Sequence, residues 1–206
     1  MTIKNIILDL GGVILNIDFQ RTYTAFRDLG ACNLEKLYSA NSQDSVFEDF
    51  ELGKISADFF RATVKNKLAM AATDSQFDQA WNAMILDLPE SRLDFIRLLK
   101  KKYKLFLLSN ANQIHIDKVL QICQVTYGYN PFQSYFDNYY FSNIIGKRKP
   151  DANAFLHVLE ESKIQAQETL FIDDTMQNIQ SAQNMGLNVA HVERNNPAWK
   201  SIHLLS

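Results

Sequence analysis

The sequence predicts an α/β protein: a doubly wound, Rossmann-like parallel sheet with an all-helical insertion after its first strand. Three observations carry that prediction. Short apolar runs without alternation, the first at Ile6-Ile7-Leu8, read as strands buried on both faces. From residue 104 onward such runs alternate with helical stretches, as strand–helix–strand crossovers require. Residues 17–86 break that alternation, offering amphipathic helical periods and no convincing strand.

The first strand is expected at 3–8. Within 17–86, Phe60, Val64 and Leu68 line one face of a helix opened by Ser56. Phe77, Trp81, Met84 and Ile85 line another, preceded by Thr73-Asp74-Ser75-Gln76, a capping box. The next helix begins at Pro89-Glu90, with proline suited to a first helical position, and ends at Lys100-Lys101-Lys102, cations suited to a helix C-terminus. Strands follow at 104–108, 138–141, 169–172 and 188–192. The helices between them are 112–122 (Ile114, Val119, Leu120), 151–162 (Phe155, Val158, Leu159) and 175–185, the last closed by Gly186 in a left-handed conformation. The chain therefore divides into a core, 1–16 with 87–206, and a helical cap, 17–86. Because the cap leaves from the carboxyl end of the first strand, it is expected to hang over that end.

Composition bounds the function. A chain of 206 residues, 47% hydrophobic and with net charge −2, is an ordinary globular protein with no electrostatic footprint for nucleic acid or membrane. Apolar runs are strand-sized, too short to span a bilayer. The first strand starts so near the N-terminus that no signal peptide fits, and Cys32 and Cys123 have no metal-type spacing. A cytoplasmic location is expected. The histidines, His115, His157, His191 and His203, are scattered and read as surface or satisfied helix residues.

Chemistry concentrates at strand ends, where open α/β sheets bind ligands. Asp9 follows the first strand and precedes Gly11-Gly12; Asp173 and Asp174 end the strand 169–172. Adjacent carboxylates repel unless a cation or a shared proton offsets them. One site built from both strand ends, holding a divalent metal against a nucleophilic aspartate, accounts for all three acids. Asp9 would take a group as an acyl intermediate that water later opens. Gly11 and Gly12 would let backbone amides and a carbonyl approach the substrate. Ser109 and Asn110, after the strand 104–108, offer a hydroxyl and backbone N–H groups to a ligand's oxygens, or cap the helix 112–122. Hard oxygen ligands suit Mg²⁺.

Four segments, Asp9-Leu10-Gly11-Gly12-Val13, Leu108-Ser109-Asn110, Gly146-Lys147-Arg148-Lys149-Pro150 and Asp173-Asp174 with Asn178, resemble in order and spacing the motifs of the haloacid dehalogenase-like (HAD) hydrolase superfamily. The helical insertion resembles the cap of its subfamily I. The DLGGV form, Gly53-Lys54-Ile55-Ser56 and Phe171-Ile172-Asp173-Asp174 resemble the branch of small bacterial sugar-phosphate phosphatases of the glucose-1-phosphate phosphatase type. The resemblance implies a Mg²⁺-dependent phosphatase acting on a small phosphorylated metabolite through an aspartyl-phosphate on Asp9. It makes Lys149 the phosphate lysine, Asp174 and the Gly11 backbone carbonyl metal ligands beside Asp9, and Asp173 a supporting residue or ligand. Asn178 stands where relatives often carry another acid.

One position departs from the pattern. The residue two after the nucleophile is usually a second aspartate that protonates the leaving oxygen; here it is Gly11. Losing such help costs about 10²–10⁴ in rate. Asp18 is the candidate substitute, with a helix cap before Phe19 as its other reading. Two alternatives remain. A 2-haloacid dehalogenase has no use for the acid pair at 173–174, and a weakly catalytic phospho-ligand binder is what Gly11 would favour.

Overall fold

Ile6, Ile7 and Leu8 have no exposed surface at all, because their strand runs between neighbours on both sides and under helices on both faces. The computed structural model describes residues 2–32, 38–39 and 42–196. The chain runs through β1 (Asn5–Leu8), α1 (Phe19–Asp28), a short hairpin of β2 (Tyr38–Ser39) and β3 (Ser42–Gln43), α2 (Ser45–Glu51), α3 (Ala57–Lys67) and α4 (Asp74–Trp81). It continues through α5 (Glu90–Lys100), β4 (Lys104–Ser109), α6 (Gln113–Tyr127), α7 (Pro131–Tyr135), β5 (Asn138–Phe141) and α8 (Ser142–Ile145). The last elements are α9 (Ala152–Glu161), β6 (Thr169–Asp173), α10 (Met176–Asn184) and β7 (Asn188–His191).

The sheet order is β5-β4-β1-β6-β7, every pair parallel, as the unalternating apolar runs predict. Ile7 lies between Phe106 and Phe171. With Leu108 these side chains face Phe155 and Val158 of α9 and Ile179 and Ala182 of α10. Ile6 and Leu8 point the other way, onto Leu93 and Ile96 of α5 and Ile116 and Val119 of α6. Two residues of period, two covered faces: this is why the strands carry no polar alternation.

A separate apolar cluster fills the segment 17–86: Phe26, Phe47, Phe50, Phe60, Phe77 and Trp81 pack together, with Phe50 and Phe60 stacked at 4.2 Å. The Thr73–Gln76 capping box forms, and Ser56 accepts from Phe59 N–H. The insertion is not wholly helical, however. The β2–β3 hairpin is a strand pair too short to leave a periodic signal in sequence. Other boundaries move: β1 begins at Asn5 rather than 3, and α4 ends at Trp81, so Met84 lies in a short 3₁₀ turn and Ile85 in extended chain. α6 runs on to Tyr127, stopped by Gly128 at φ 76°, and Pro89 is the N-cap of α5 rather than its first residue. Gly186 is left-handed, φ 82°, as expected.

The chain leaves and re-enters the core at one place. Asp18 N–H donates to Met84 O, Leu86 N–H to Asn16 O and Asn16 N–H to Asp87 O, so the two crossings run side by side. Both lie at the carboxyl end of β1. Among the described residues, no helix is long and apolar enough to cross a membrane. Cys32 is exposed and Cys123 buried, both free thiols.

Candidate active site

Asp9 follows β1 directly, its N–H donating to Ile172 O of β6 at 2.9 Å. That register places it beside Asp173, the last residue of β6. Oxygens of Asp9, Asp173 and Asp174 all lie within 4.8 Å of one another. Across an octahedral Mg²⁺ two ligand oxygens stand about 4.2 Å apart. Three hard carboxylates at this spacing fit such an ion.

Lys149 is buried between the acids. Its Nζ lies 2.6 Å from Asp9 Oδ1 and 2.7 Å from Asp173 Oδ2, and 5.3 Å from the centre of the Phe171 ring. Burial alone would lower the Lys149 pKa, but the flanking Asp173 and Asp9 outweigh it and hold the ammonium above its ordinary value. Asp9 moves upward for the converse reason. Its burial pushes the carboxyl up to about 7, with Asp173 and Asp174 adding and Lys149 opposing. Of the three cations at 147–149, both Arg148 and Lys149 line the cavity, and Lys149 is the one that reaches the acids. Arg148 turns instead to the cap, 3.0 Å from Glu51.

Asp173 is saturated. It accepts from Lys149, from the Thr175 N–H at 2.7 Å, and on both oxygens from the Asn178 amide at 3.1 and 3.0 Å. Asp174 has a different partner, the Arg194 guanidinium, Nε to Oδ2 2.5 Å. Neighbours in sequence, the two acids serve different cations.

The glycines separate as well. Gly12 has φ 81°, and a Cβ there would lie 2.5 Å from Asp174 Oδ2. Only glycine satisfies both demands. At Gly11 the backbone is unstrained, and a Cβ would meet only the Ile17 Cδ1 tip at 3.3 Å. The expectation that both positions need glycine for the turn therefore holds for Gly12 alone. A side chain at Gly11 would need the Ile17 tip to give slightly, at the cavity wall beside Asp9.

Ser109, buried at the end of β4, lines that cavity. The Asn110 side chain does not offer itself to a ligand. Its amide donates to Lys149 O at 2.7 Å and its oxygen accepts from Lys149 N–H at 2.9 Å, clamping the lysine's backbone. The cap of α6 is Asn112, not Ser109 or Asn110. Asp18 is the N-cap of α1, accepting from Gln20 N–H at 3.0 Å, and is absent from the cavity wall. The helix-cap reading of Asp18 displaces the acid reading.

The cavity holds about 630 Å³ between sheet and insertion, with Gln20, Tyr23 and Glu51 entering from the insertion side. Sequence reasoning did not single out Glu51 or Arg194, and it read His115 as a satisfied helix residue, which its two ring contacts bear out. Burial pushes the Glu51 carboxyl upward, Arg148 opposing and Glu48 adding. The nearby Gly53-Lys54-Ile55-Ser56 run marks the segment: Gly53 has φ 68°, and a Cβ there would overlap the Asn143 carbonyl oxygen. Ser142 Oγ also donates to Glu51 O at 2.6 Å, so this turn rests on the core. His115 stacks on Trp81 at 4.9 Å, and its pKa is pushed down to about 4 by burial, the Trp81 carbonyl opposing. Its Nδ1 faces the Asn112 amide at 3.1 Å and its Nε2 faces Trp81 O at 3.2 Å. The neutral ring with hydrogen on Nε2 satisfies both. His203 lies outside the described residues. His157 packs edge-on against Tyr140.

A family model for haloacid dehalogenase-like hydrolase matches residues 3–186. D-ribitol-5-phosphate phosphatase of Bacteroides thetaiotaomicron is 32% identical over 198 residues, covering 96% of this chain and 95% of that protein. A HAD family enzyme of the same organism, solved in complex with magnesium and inorganic phosphate, has a TM-score of 0.87 at 32% identity, covering 98% of this chain and 99% of that one. A HAD-like family hydrolase from Porphyromonas gingivalis gives a TM-score of 0.88 at 28% identity, with 98% and 97% covered.

Proposed function

This chain belongs to the haloacid dehalogenase-like hydrolases, and from that premise we propose a Mg²⁺-dependent phosphatase that hydrolyses a small sugar or polyol phosphate through an aspartyl-phosphate on Asp9. The observation that carries the reading is the buried chain Asp9–Lys149–Asp173 with Asp174 beside it, at the floor of a cavity. A cation wedged between a nucleophile and a saturated acid suits transfer of a dianionic group. It stabilises charge on the phosphoryl oxygens without reorganising.

A carboxylate oxygen of Asp9 attacks phosphorus, the bond to the leaving oxygen breaks, and that oxygen takes a proton from solvent water, since no acid stands at Gly11. Water then opens the acyl-phosphate, returning Asp9 and releasing inorganic phosphate. Lys149 holds the transferring group by charge, Asp173 and Asn178 hold Lys149, Asn110 fixes its backbone, and Ser109 Oγ binds a phosphate oxygen. Mg²⁺, held by Asp9, Asp174 and the Gly11 carbonyl with Asp173 in support, would neutralise the phosphoryl group and favour the ionised form of Asp9. The relative that acts on D-ribitol-5-phosphate supports a polyol or sugar phosphate as the substrate class. The acids at 173 and 174 argue against a dehalogenase, which needs no metal.

Gly11 favours a second reading, a phospho-ligand binder with slow turnover. Hydrolysis of an aryl phosphate with and without Mg²⁺ separates the two. In that assay Asp9→Asn should lose at least about 10⁴ of the rate while keeping the wild-type circular dichroism spectrum, because the amide is isosteric but a poor nucleophile. Activity within tenfold of wild type would sink the assignment.

A further inference from the structure

Asp9, Asp173 and Asp174 present three carboxylates, and Lys149 touches only two of them. The third is covered by Arg194, whose chain position, just after β7, lies outside the segments that make the rest of the site. The two partners differ in environment. The Asp174 side chain is 4% exposed and the Arg194 side chain 44%. One is fixed in the site and the other reaches in from its rim.

The backbone beneath Arg194 is anchored. Asn195 N–H donates to Gly12 O at 2.7 Å, its side chain exchanges two hydrogen bonds with the Ile17 backbone, and buried Arg92 donates to Asn195 O at 2.9 Å. The guanidinium rests 5.0 Å from the centre of the Phe19 ring, at the start of α1, and lines the cavity. Its stem crosses Gly12 so closely that a Cβ there would stand 3.0 Å from Arg194 Cγ. Arg194 thus has a fixed root, an aromatic rest at the cavity rim and an ionic contact with a carboxylate that the proposed metal also needs.

We propose that Arg194 is an exchangeable counter-ion: it neutralises Asp174 in the metal-free protein, is displaced from it by Mg²⁺, and then serves as a second phosphate-binding cation, opposite Lys149. The inference rests on the reading of Asp174 as a metal ligand. Arg194 holds Asp174 Oδ2, and a guanidinium and Mg²⁺ on one carboxylate repel each other as like charges, so the two compete for Asp174. Once released, the planar fork suits two phosphate oxygens, and the Phe19 face keeps it at the rim.

Titration calorimetry with MgCl₂ on the whole protein tests the exchange. Arg194→Gln should bind Mg²⁺ about three- to fivefold more tightly than wild type, the scale of a partly exposed ion pair. Arg194→Lys, which keeps the competing charge, should stay within about twofold. In EDTA, Arg194→Gln should melt below wild type, and saturating Mg²⁺ should erase the difference. With Mg²⁺ saturating, inorganic phosphate should bind at least about fivefold more weakly to Arg194→Gln. Unchanged or weakened Mg²⁺ binding in Arg194→Gln overturns the exchange, and unchanged phosphate affinity overturns the second role. Wild type that binds no Mg²⁺, or Asp174→Asn that binds it undiminished, instead overturns the metal reading on which this rests.

Discussion

At the scale of single residues, Asp173 and Asp174 show how little adjacency in sequence says about role. Asp173 is wholly buried and saturated by Lys149, Asn178 and the Thr175 amide. Asp174 holds only a displaceable guanidinium and its neighbour Thr175 Oγ1. Asp173→Ala should therefore act on the lysine. It leaves a buried cation half compensated, costing on the order of 3 kcal/mol of stability, and lowers kcat at saturating Mg²⁺. Asp174→Ala should act on the metal, raising the Mg²⁺ concentration for half-maximal activity by at least the roughly 10–100-fold that loss of a supporting residue costs. Melting curves and Mg²⁺ titrations of both variants check the division, and matching profiles would contradict it. Gly11 supports a further test. Its backbone is not left-handed, and a side chain fits once the Ile17 tip gives by a few tenths of an ångström. In wild type, aryl phosphates with acidic phenols should outpace alkyl phosphates steeply, since they leave without a proton. Gly11→Asp should raise the alkyl rate by about 10²-fold and narrow that gap. A flat leaving-group dependence in wild type would mean that another group already supplies the proton. Asp18→Asn, which touches only the cap of α1, should leave the gap unchanged.

Elements meet the insertion at His115. α6 belongs to the core, yet Ile114 packs into the aromatic cluster of the insertion and His115 stacks on Trp81. Protonating His115 would place a second N–H against the Asn112 amide, and its pKa is already down at about 4 in the folded protein. The unfolded chain titrates near 6.5. Because the folded value is the lower one, the unfolded state binds the extra proton between those limits. The stability that this contact contributes is complete above about pH 6.5, falls as pH drops toward 4, and is flat below. Melting temperatures of wild type and His115→Gln should differ most at pH 7 and converge near pH 4. A constant difference over that range would remove His115 from the account.

For the molecule as a whole, two crossings at one edge and one resting turn at the other describe how the insertion sits. The crossings are paired through Asn16, Asp18, Met84 and Leu86. The turn bears on the core through Glu51, Arg148, Ser142 and Gly53. We propose that 17–86 moves as a cap about the crossings while the turn makes and breaks its contacts. Hydrogen exchange with Mg²⁺ and inorganic phosphate should then slow at 51–56 as well as around Asp9, with the α9 and α10 face of the sheet unaffected. Protection confined to the sheet ends would argue for a rigid insertion.

The sequence by itself determined the sheet and the insertion. Strands buried on both faces must be continuously apolar, helices at the surface must be periodic, and both signals are local. It also placed the three acids, because a residue at the carboxyl end of a parallel strand has nowhere to point but the shared rim; Lys149, which follows α8 rather than a strand, was legible only through the family resemblance. Tertiary structure alone decided what each of them touches. That Asp173 serves Lys149, that Asp174 serves Arg194 and that the Asn110 side chain clamps a backbone all depend on partners 20 to 39 residues away. The two-residue hairpin strands and the left-handed stop at Gly128 gave too little periodicity to read. Glu51 and Arg194 were illegible for a related reason, as was the stacking of His115 on Trp81. A lone charged or aromatic side chain has no pattern, and only the meeting of insertion, α6 and the segment after β7 around one cavity gives it a role.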